Sequence, residues 1–313
     1  MTRPLITARD VSENAELHIP AGAIVTPLAR DLLRQRGLDP RGLPFDGRAL
    51  DGQALSGQAP AREGCPEVQR FVVANWKCHK TTGEALDFAA KFRERRAKKL
   101  AARAVVCPPF TSLALLHHAL GDAAEVGAQD LSADGEGAHT GEIAARHLVD
   151  VGCGYVLVGH SERRHAGESD ALVRRKLRRA LGAKLRPILC VGETASERKA
   201  GRASVVVSDQ TRAALGGLSP AEVAQTILAY EPRWAIGTGA TPTLGEVEDM
   251  LSHARQVLIS ISEASGAGVS ILYGGSVKPK NAGALLALPS CAGALVGGAA
   301  LDPEGFASIL DQA

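Results

Sequence analysis

From residue 71 onward, short apolar runs alternate with longer stretches of helical period. The runs cover 71–75, 104–107, 125–129, 155–159, 186–192, 226–230, 270–273 and 294–296. Most are β-branched or continuously apolar, as strands buried on both faces should be. Between them, segments such as 83–99, 169–181, 244–261 and 281–288 repeat their apolar residues every three or four positions, and Pro303–Leu310 follows the last run. Eight strand-then-helix units in succession predict an α/β fold of the (β/α)8 barrel type. The alternative is a doubly wound open sheet. It usually has fewer strands and often a G-x-G-x-x-G after the first, a motif missing after the first strand of this chain.

The same pattern is absent from residues 1–67, which read as a small N-terminal extension and linker ahead of a barrel domain at 68–313. Within the extension, 17–19 suits a short strand. Thr26-Pro27 then opens a helix through residue 36, with a capping threonine, a proline at the first position and Gly37 past the end. Residues 41–67 are Gly, Pro, Ala, Arg and Asp with few large apolar side chains, which is linker composition.

Composition adds exclusions. The 313 residues are 45% hydrophobic and 22% charged, enough for one large domain or two small ones. A net charge of +2 gives no nucleic-acid footprint. No apolar run approaches the roughly 18–20 residues of a membrane span. The N-terminus carries no signal-peptide core. The six cysteines are scattered without a C-x-x-C pair, so neither a disulfide framework nor a structural metal is expected. Reduced thiols in a cytoplasmic protein fit best.

Chemistry in such a barrel gathers at the carboxyl ends of the strands. The polar residues there are Asn75 and Lys77 after strand 1, Gln129 after strand 3, His160 and Glu162 after strand 4, Glu193 after strand 5 and Glu231 after strand 6. Glu231 is followed by Pro232, which stops ladder pairing, and by the apolar Trp234-Ala235-Ile236 closed by Gly237 and Gly239. A carboxylate beneath a segment of that composition is a candidate general base under a lid; a surface glutamate beside a turn would look the same. Gly274-Gly275-Ser276 and Gly297-Gly298 follow strands 7 and 8, where exposed N–H groups make a phosphate site. His160 begins the helix-like Ser161-Glu162-Arg163-Arg164, and a helix N-terminus disfavours imidazolium, so a lowered pKa is expected.

In order along the chain come Ala74-Asn75-Trp76-Lys77, Val106-Cys107-Pro108-Pro109-Phe110, Gly127-Ala128-Gln129 and Thr140-Gly141-Glu142. Val158-Gly159-His160-Ser161-Glu162-Arg163-Arg164, Cys190-Val191-Gly192-Glu193, Tyr230-Glu231-Pro232 through Gly239, Tyr273-Gly274-Gly275-Ser276-Val277 and Leu295-Val296-Gly297-Gly298-Ala299 follow. The set resembles the triosephosphate isomerase family across residues 70–313. The resemblance implies interconversion of dihydroxyacetone phosphate and D-glyceraldehyde 3-phosphate, a step of glycolysis and gluconeogenesis, without a metal or other cofactor. It implies Glu231 as the base and His160 as a neutral electrophile helped by Asn75 and Lys77, with Glu162 supporting Lys77. It further implies phosphate held by Gly237, Ser276, Gly297 and Gly298, a lid at 232–239 with Tyr273 as its landing partner, and a homodimer.

Several positions depart from the family pattern. Arg233 replaces a small or β-branched residue after the lid's proline, and Ala240-Thr241-Pro242 stands where Lys-Thr-Ala is usual. Cys78-His79 and His139 differ in segments that concern the family's dimer contact. The stretch 20–31 resembles a short element of bacterial microcompartment-linked enzymes, and the sequence names no partner for it. A tetrulose-phosphate isomerase would keep every catalytic residue. A catalytically weak barrel used as a scaffold would need none of Asn75, Lys77, His160 and Glu231.

Overall fold

The computed structural model describes residues 5–6, 24–25, 68–95, 102–235 and 241–313. The chain divides into two units, Met1–Glu63 and Gly64–Ala313. Of the first, the parallel pair formed by Leu5–Ile6 with Ile24–Val25 is described. The strand expected at 17–19, the helix expected at 26–36 and the linker lie outside the described residues, as does the rest of 20–31.

The second unit is a closed barrel of eight parallel strands: β1 (Phe71–Asn75), β2 (Arg103–Cys107), β3 (Glu125–Ala128), β4 (Tyr155–Val158), β5 (Arg186–Val191), β6 (Ile227–Tyr230), β7 (Ile271–Tyr273) and β8 (Gly293–Val296). Sequence neighbours pair in order, and β8 closes on β1 with Gly293 opposite Phe71 and Val296 opposite Ala74. Strand alternation divides the apolar residues into two cores. Phe71, Val73, Val105, Tyr155, Leu157 and Ile188 fill the barrel interior. Val72, Ala74, Val106, Val156 and Val158 face outward into the layer shared with the helices.

The helices are α1 (Thr82–Arg95), α2 (Leu113–Leu120), α3 (Ala145–Asp150), α4 (Ser161–His165), α5 (Asp170–Gly182), α6 (Ala195–Lys199), α7 (Ala203–Leu215), α8 (Pro220–Gln225), α9 (Leu244–Ile261), α10 (Glu263–Gly266), α11 (Pro279–Leu286) and α12 (Pro303–Leu310). Their starts are written locally. Thr194 with Glu197, Ser219 with Glu222 and Thr243 with Glu246 form reciprocal capping boxes at α6, α8 and α9. Each such cap is worth about 0.5–2 kcal/mol. On the outer layer Phe88 and Phe92 of α1 pack with Phe306 of α12. Trp76 sits edge-on to Phe88, fully buried, and its indole N–H donates to the Ala300 carbonyl at 3.1 Å. That bond ties the exit of β1 to the turn after β8, so the first and last loops of the barrel mouth are fixed to each other. No helix among the described residues is long and apolar enough to cross a membrane.

Candidate active site

At the carboxyl end of the barrel a cavity of about 270 Å³ is lined by Asn75, Lys77, His160 and Glu231 on one side. Gly274-Gly275-Ser276 and Gly297-Gly298 line the other. Of the site residues singled out in the sequence, Glu162 stands at the rim, bound to Lys77, and Gly237 lies outside the described residues. Lys278 also lines the cavity, and sequence reasoning missed it. Its place two residues past Ser276, in the loop already marked for anion binding, was the available signal.

Glu231 follows β6 directly. Its N–H donates to Val191 O at 2.8 Å, and Pro232 ends the ladder. Glycines make room on two sides: a Cβ at Gly192 would lie 1.7 Å from Glu231 O, and one at Gly274 2.8 Å from Glu231 Cγ. The carboxylate is 2% exposed as a residue and takes two donors. Ser161 N–H donates to Oε2 at 2.9 Å, and His160 Nε2 lies 3.1 Å from Oε1. Burial alone would raise the carboxyl pKa; the His160 ring and the Ser161 N–H outweigh it, and the net direction is downward.

His160 caps α4: the Glu162 N–H donates to Nδ1 at 3.2 Å. That bond fills the Nδ1 lone pair, so the ring carries its proton on Nε2, facing Glu231. The structure reverses the lowered pKa expected from the helix terminus. Burial does disfavour imidazolium, and it is the largest single effect. Glu231 and then Glu162 offset it, leaving the direction upward. The reversal comes from the carboxylate 3.1 Å away, which strand geometry brings in from a residue far along the chain.

Lys77 Nζ donates to Glu162 Oε1 at 2.6 Å. Its backbone is left-handed, with φ +52°. For a side chain other than glycine this costs roughly 1–2 kcal/mol, and such strain persists where surrounding contacts over-determine it. Asn75 Oδ1 accepts the Lys77 N–H at 3.0 Å. This assigns the Asn75 amide: its oxygen is used by the backbone, and its NH2 is the group left for the cavity. At the other end Asn281 Nδ2 donates to Ser276 O at 3.0 Å and its Oδ1 accepts the Lys278 N–H, bracing the glycine turn after β7.

Glu193, which the sequence placed at a strand end without a role, is fully buried. It accepts from the Tyr230 hydroxyl, from Trp234 Nε1 at 2.8 Å and from Arg198 Nη1 at 3.3 Å. The Arg198 guanidinium also covers the Trp234 ring at 4.3 Å. The first turn of the 232–239 segment, closed by Ala235 N–H to Pro232 O, is therefore moored to β5 and α6. Residues 236–239 lie outside the described residues.

A cavity that joins a carboxylate, an imidazole and an ammonium to glycine turns after β7 and β8 narrows the chemistry but not the family. The Triosephosphate isomerase family profile matches residues 70–313. The chain belongs to the triosephosphate isomerase family. It is 49% identical over 244 residues to the triosephosphate isomerase of Symbiobacterium thermophilum, covering 76% of this chain and 94% of that one. To the triosephosphate isomerase of Moorella thermoacetica it is 46% identical over 242 residues, covering 77% and 97%. The crystal structure of triosephosphate isomerase from Bartonella henselae superposes with a TM-score of 0.71 at 35% identity, covering 78% of this chain and 99% of that one. Like the other members of the triosephosphate isomerase family, this chain is an isomerase.

Proposed function

We propose that the barrel interconverts dihydroxyacetone phosphate and D-glyceraldehyde 3-phosphate by proton transfer through an enediolate, with Glu231 as the base and His160 as the neutral electrophile. The observation that carries the reading is the Glu231–His160 contact, 3.1 Å, at the mouth of the cavity beside the glycine turns. Phosphate lies against Ser276, Gly297 and Gly298, whose backbone N–H groups supply donors without side-chain charge; Gly237 adds one from the lid. Glu231 takes a proton from the carbon next to the carbonyl. His160 donates its Nε2 hydrogen bond to the carbonyl oxygen, and the Asn75 NH2 adds a second donor. The Lys77 ammonium stabilises the negative charge that develops on that oxygen. His160 passes the substrate's hydroxyl proton from the neighbouring oxygen to the former carbonyl oxygen, and the proton on Glu231 returns to the neighbouring carbon, so both hydrogens are accounted for and the isomerisation balances.

The electrostatics support this order of events. Held by His160 and Ser161, Glu231 is a weakened base. Turning toward substrate exchanges those donors for a C–H, and burial then raises its pKa. The same movement removes the main influence that raises His160, and burial with the Glu162 N–H favours the neutral ring. Closure of the 232–239 lid excludes water and strengthens both effects. The proposal includes a homodimer, as the family pattern implies, with the exposed run 135–142 and the exposed Cys78 at the contact with a second copy of the chain. A cytoplasmic location fits the chain's family. The deciding experiment is one assay with dihydroxyacetone phosphate and a tetrulose phosphate side by side. Rapid turnover of the triose is expected. Absence of triose turnover by folded protein would overturn the reading, and preference for the tetrulose would reassign the substrate.

A further inference from the structure

The strained Lys77 peptide is held from both ends by side-chain amides. Asn75 Oδ1 accepts its N–H at 3.0 Å. Gln129 Nε2 donates to its carbonyl at 2.8 Å, and the same nitrogen donates to Cys107 O, the last carbonyl of β2, at 2.9 Å. Because both acceptors are carbonyls, the Gln129 amide has one possible orientation, nitrogen toward Lys77. Gln129 itself directly follows β3 and does not line the cavity. Its amide thus joins the exits of β1, β2 and β3 at one atom.

We infer that Gln129 is a positioning residue for the isomerisation, acting through the Lys77 backbone to fix the direction in which the ammonium enters the cavity. The inference rests on the proposed role of Lys77. A left-handed residue directs its Cβ quite differently from an ordinary one, so the φ of Lys77 decides where its four-carbon stem begins. The pairing of Nζ with Glu162 at 2.6 Å fixes the far end of that stem. Without the Nε2 donor the Lys77 carbonyl loses the partner that opposes relaxation to negative φ, and the ammonium must then reach Glu162 and substrate from a different origin. A local arrangement of this kind needs two hydrogens on one nitrogen, which glutamine supplies and ionised glutamate or leucine does not.

The experiment is a double-mutant cycle on the full chain, with dihydroxyacetone phosphate as substrate and 2-phosphoglycolate as the anionic probe of binding. Turnover by the native chain is measured first, since failure there is a failure of the proposed function and not of this inference. Gln129→Leu should lower kcat/KM about 10- to 100-fold and weaken the probe, with circular dichroism unchanged. In a Lys77→Ala background the same substitution should change kcat/KM less than about twofold, because the group it positions is gone. An equal loss in both backgrounds would mark Gln129 as general packing and overturn the inference; so would no loss in the Lys77 protein. Should Gln129→Leu fail to fold, Gln129→Glu serves. Its ionised carboxylate repels both carbonyls, while its protonated form restores one donor. The ratio of variant to native kcat/KM should therefore rise as pH falls from 8 to 6, and a flat ratio would sink the proposal.

Discussion

Glu231 sits in a balance that single substitutions can read. Glu231→Gln keeps the shape and the Ser161 bond but cannot accept a proton. It should lower kcat by at least the roughly 10²–10⁴-fold that a positioned base contributes, with the thermal midpoint little changed; near-native turnover by folded protein would remove Glu231 from the mechanism. The same variant tests the pair. In the native chain the carboxylate raises the His160 pKa above its ordinary value, so imidazolium is favoured as pH falls and the contact weakens as pH rises through the raised value. The carboxyl, lowered by the same contact, gives its share above its ordinary pKa and loses it on acidification. An NMR titration of His160 should therefore show a lower pKa in Glu231→Gln than in the native chain, and an unchanged value would contradict the pairing. Asn75, Lys77, His160 and Glu231 were legible because each is a polar residue at the end of an apolar run or within two residues of it, and barrel topology sends all such ends to one side. The work of Gln129 and Glu193 was not legible, because each is defined by partners on other strands that no spacing reveals.

At the scale of elements, continuous apolar runs bounded by glycine or charge set the strands within one or two residues. Phe71–Asn75 and the helices Leu244–Ile261 and Pro303–Leu310 were readable end to end. Helix α7 is not legible from local preference, since Val205-Val206-Val207 favours extended backbone, and burial of Val206 and Val207 decides the outcome. The proposed lid carries its own prediction. In the family pattern the hydroxyl matching Tyr273 accepts an N–H from the far hinge, and aligned without gaps the residue at that place is Pro242, which has none. Burial pushes the Tyr273 hydroxyl up to about 12, so it stays neutral. One missing hydrogen bond of about 0.5–1.5 kcal/mol makes closure roughly two- to tenfold less favourable. Pro242→Ala should tighten 2-phosphoglycolate, and Tyr273→Phe should then cost affinity where it costs none in the native chain. Equal weakening by Tyr273→Phe in both proteins would show that Pro242 is not the relevant position.

For the whole molecule, all eight barrel strands fall between Phe71 and Val296, so the first 67 residues supply none of them. A chain starting near Glu67 is expected to fold and isomerise at the native rate, measured by kcat/KM and thermal unfolding, while sedimentation of the two forms reports any role of the extension in association. Loss of soluble protein or of activity would make the extension part of the catalytic unit. Sequence periodicity could find the barrel because each strand–helix unit repeats the same local pattern; it could not place the extension, whose short apolar stretches repeat nothing.

The bond from Trp76 to Ala300 spans 224 positions, and the β1–β8 seam spans nearly as many. During synthesis β1 is among the earliest barrel strands to leave the ribosome, and its second neighbour is the last. Until Gly293–Val296 emerges, one edge of β1 has no mate and the Gly297-Gly298 side of the cavity does not exist. An unmated parallel edge is where nascent chains stick to one another. The circular seam that closes the finished barrel thus leaves β1 half-mated in the growing chain across the 222 positions from Phe71 to Gly293.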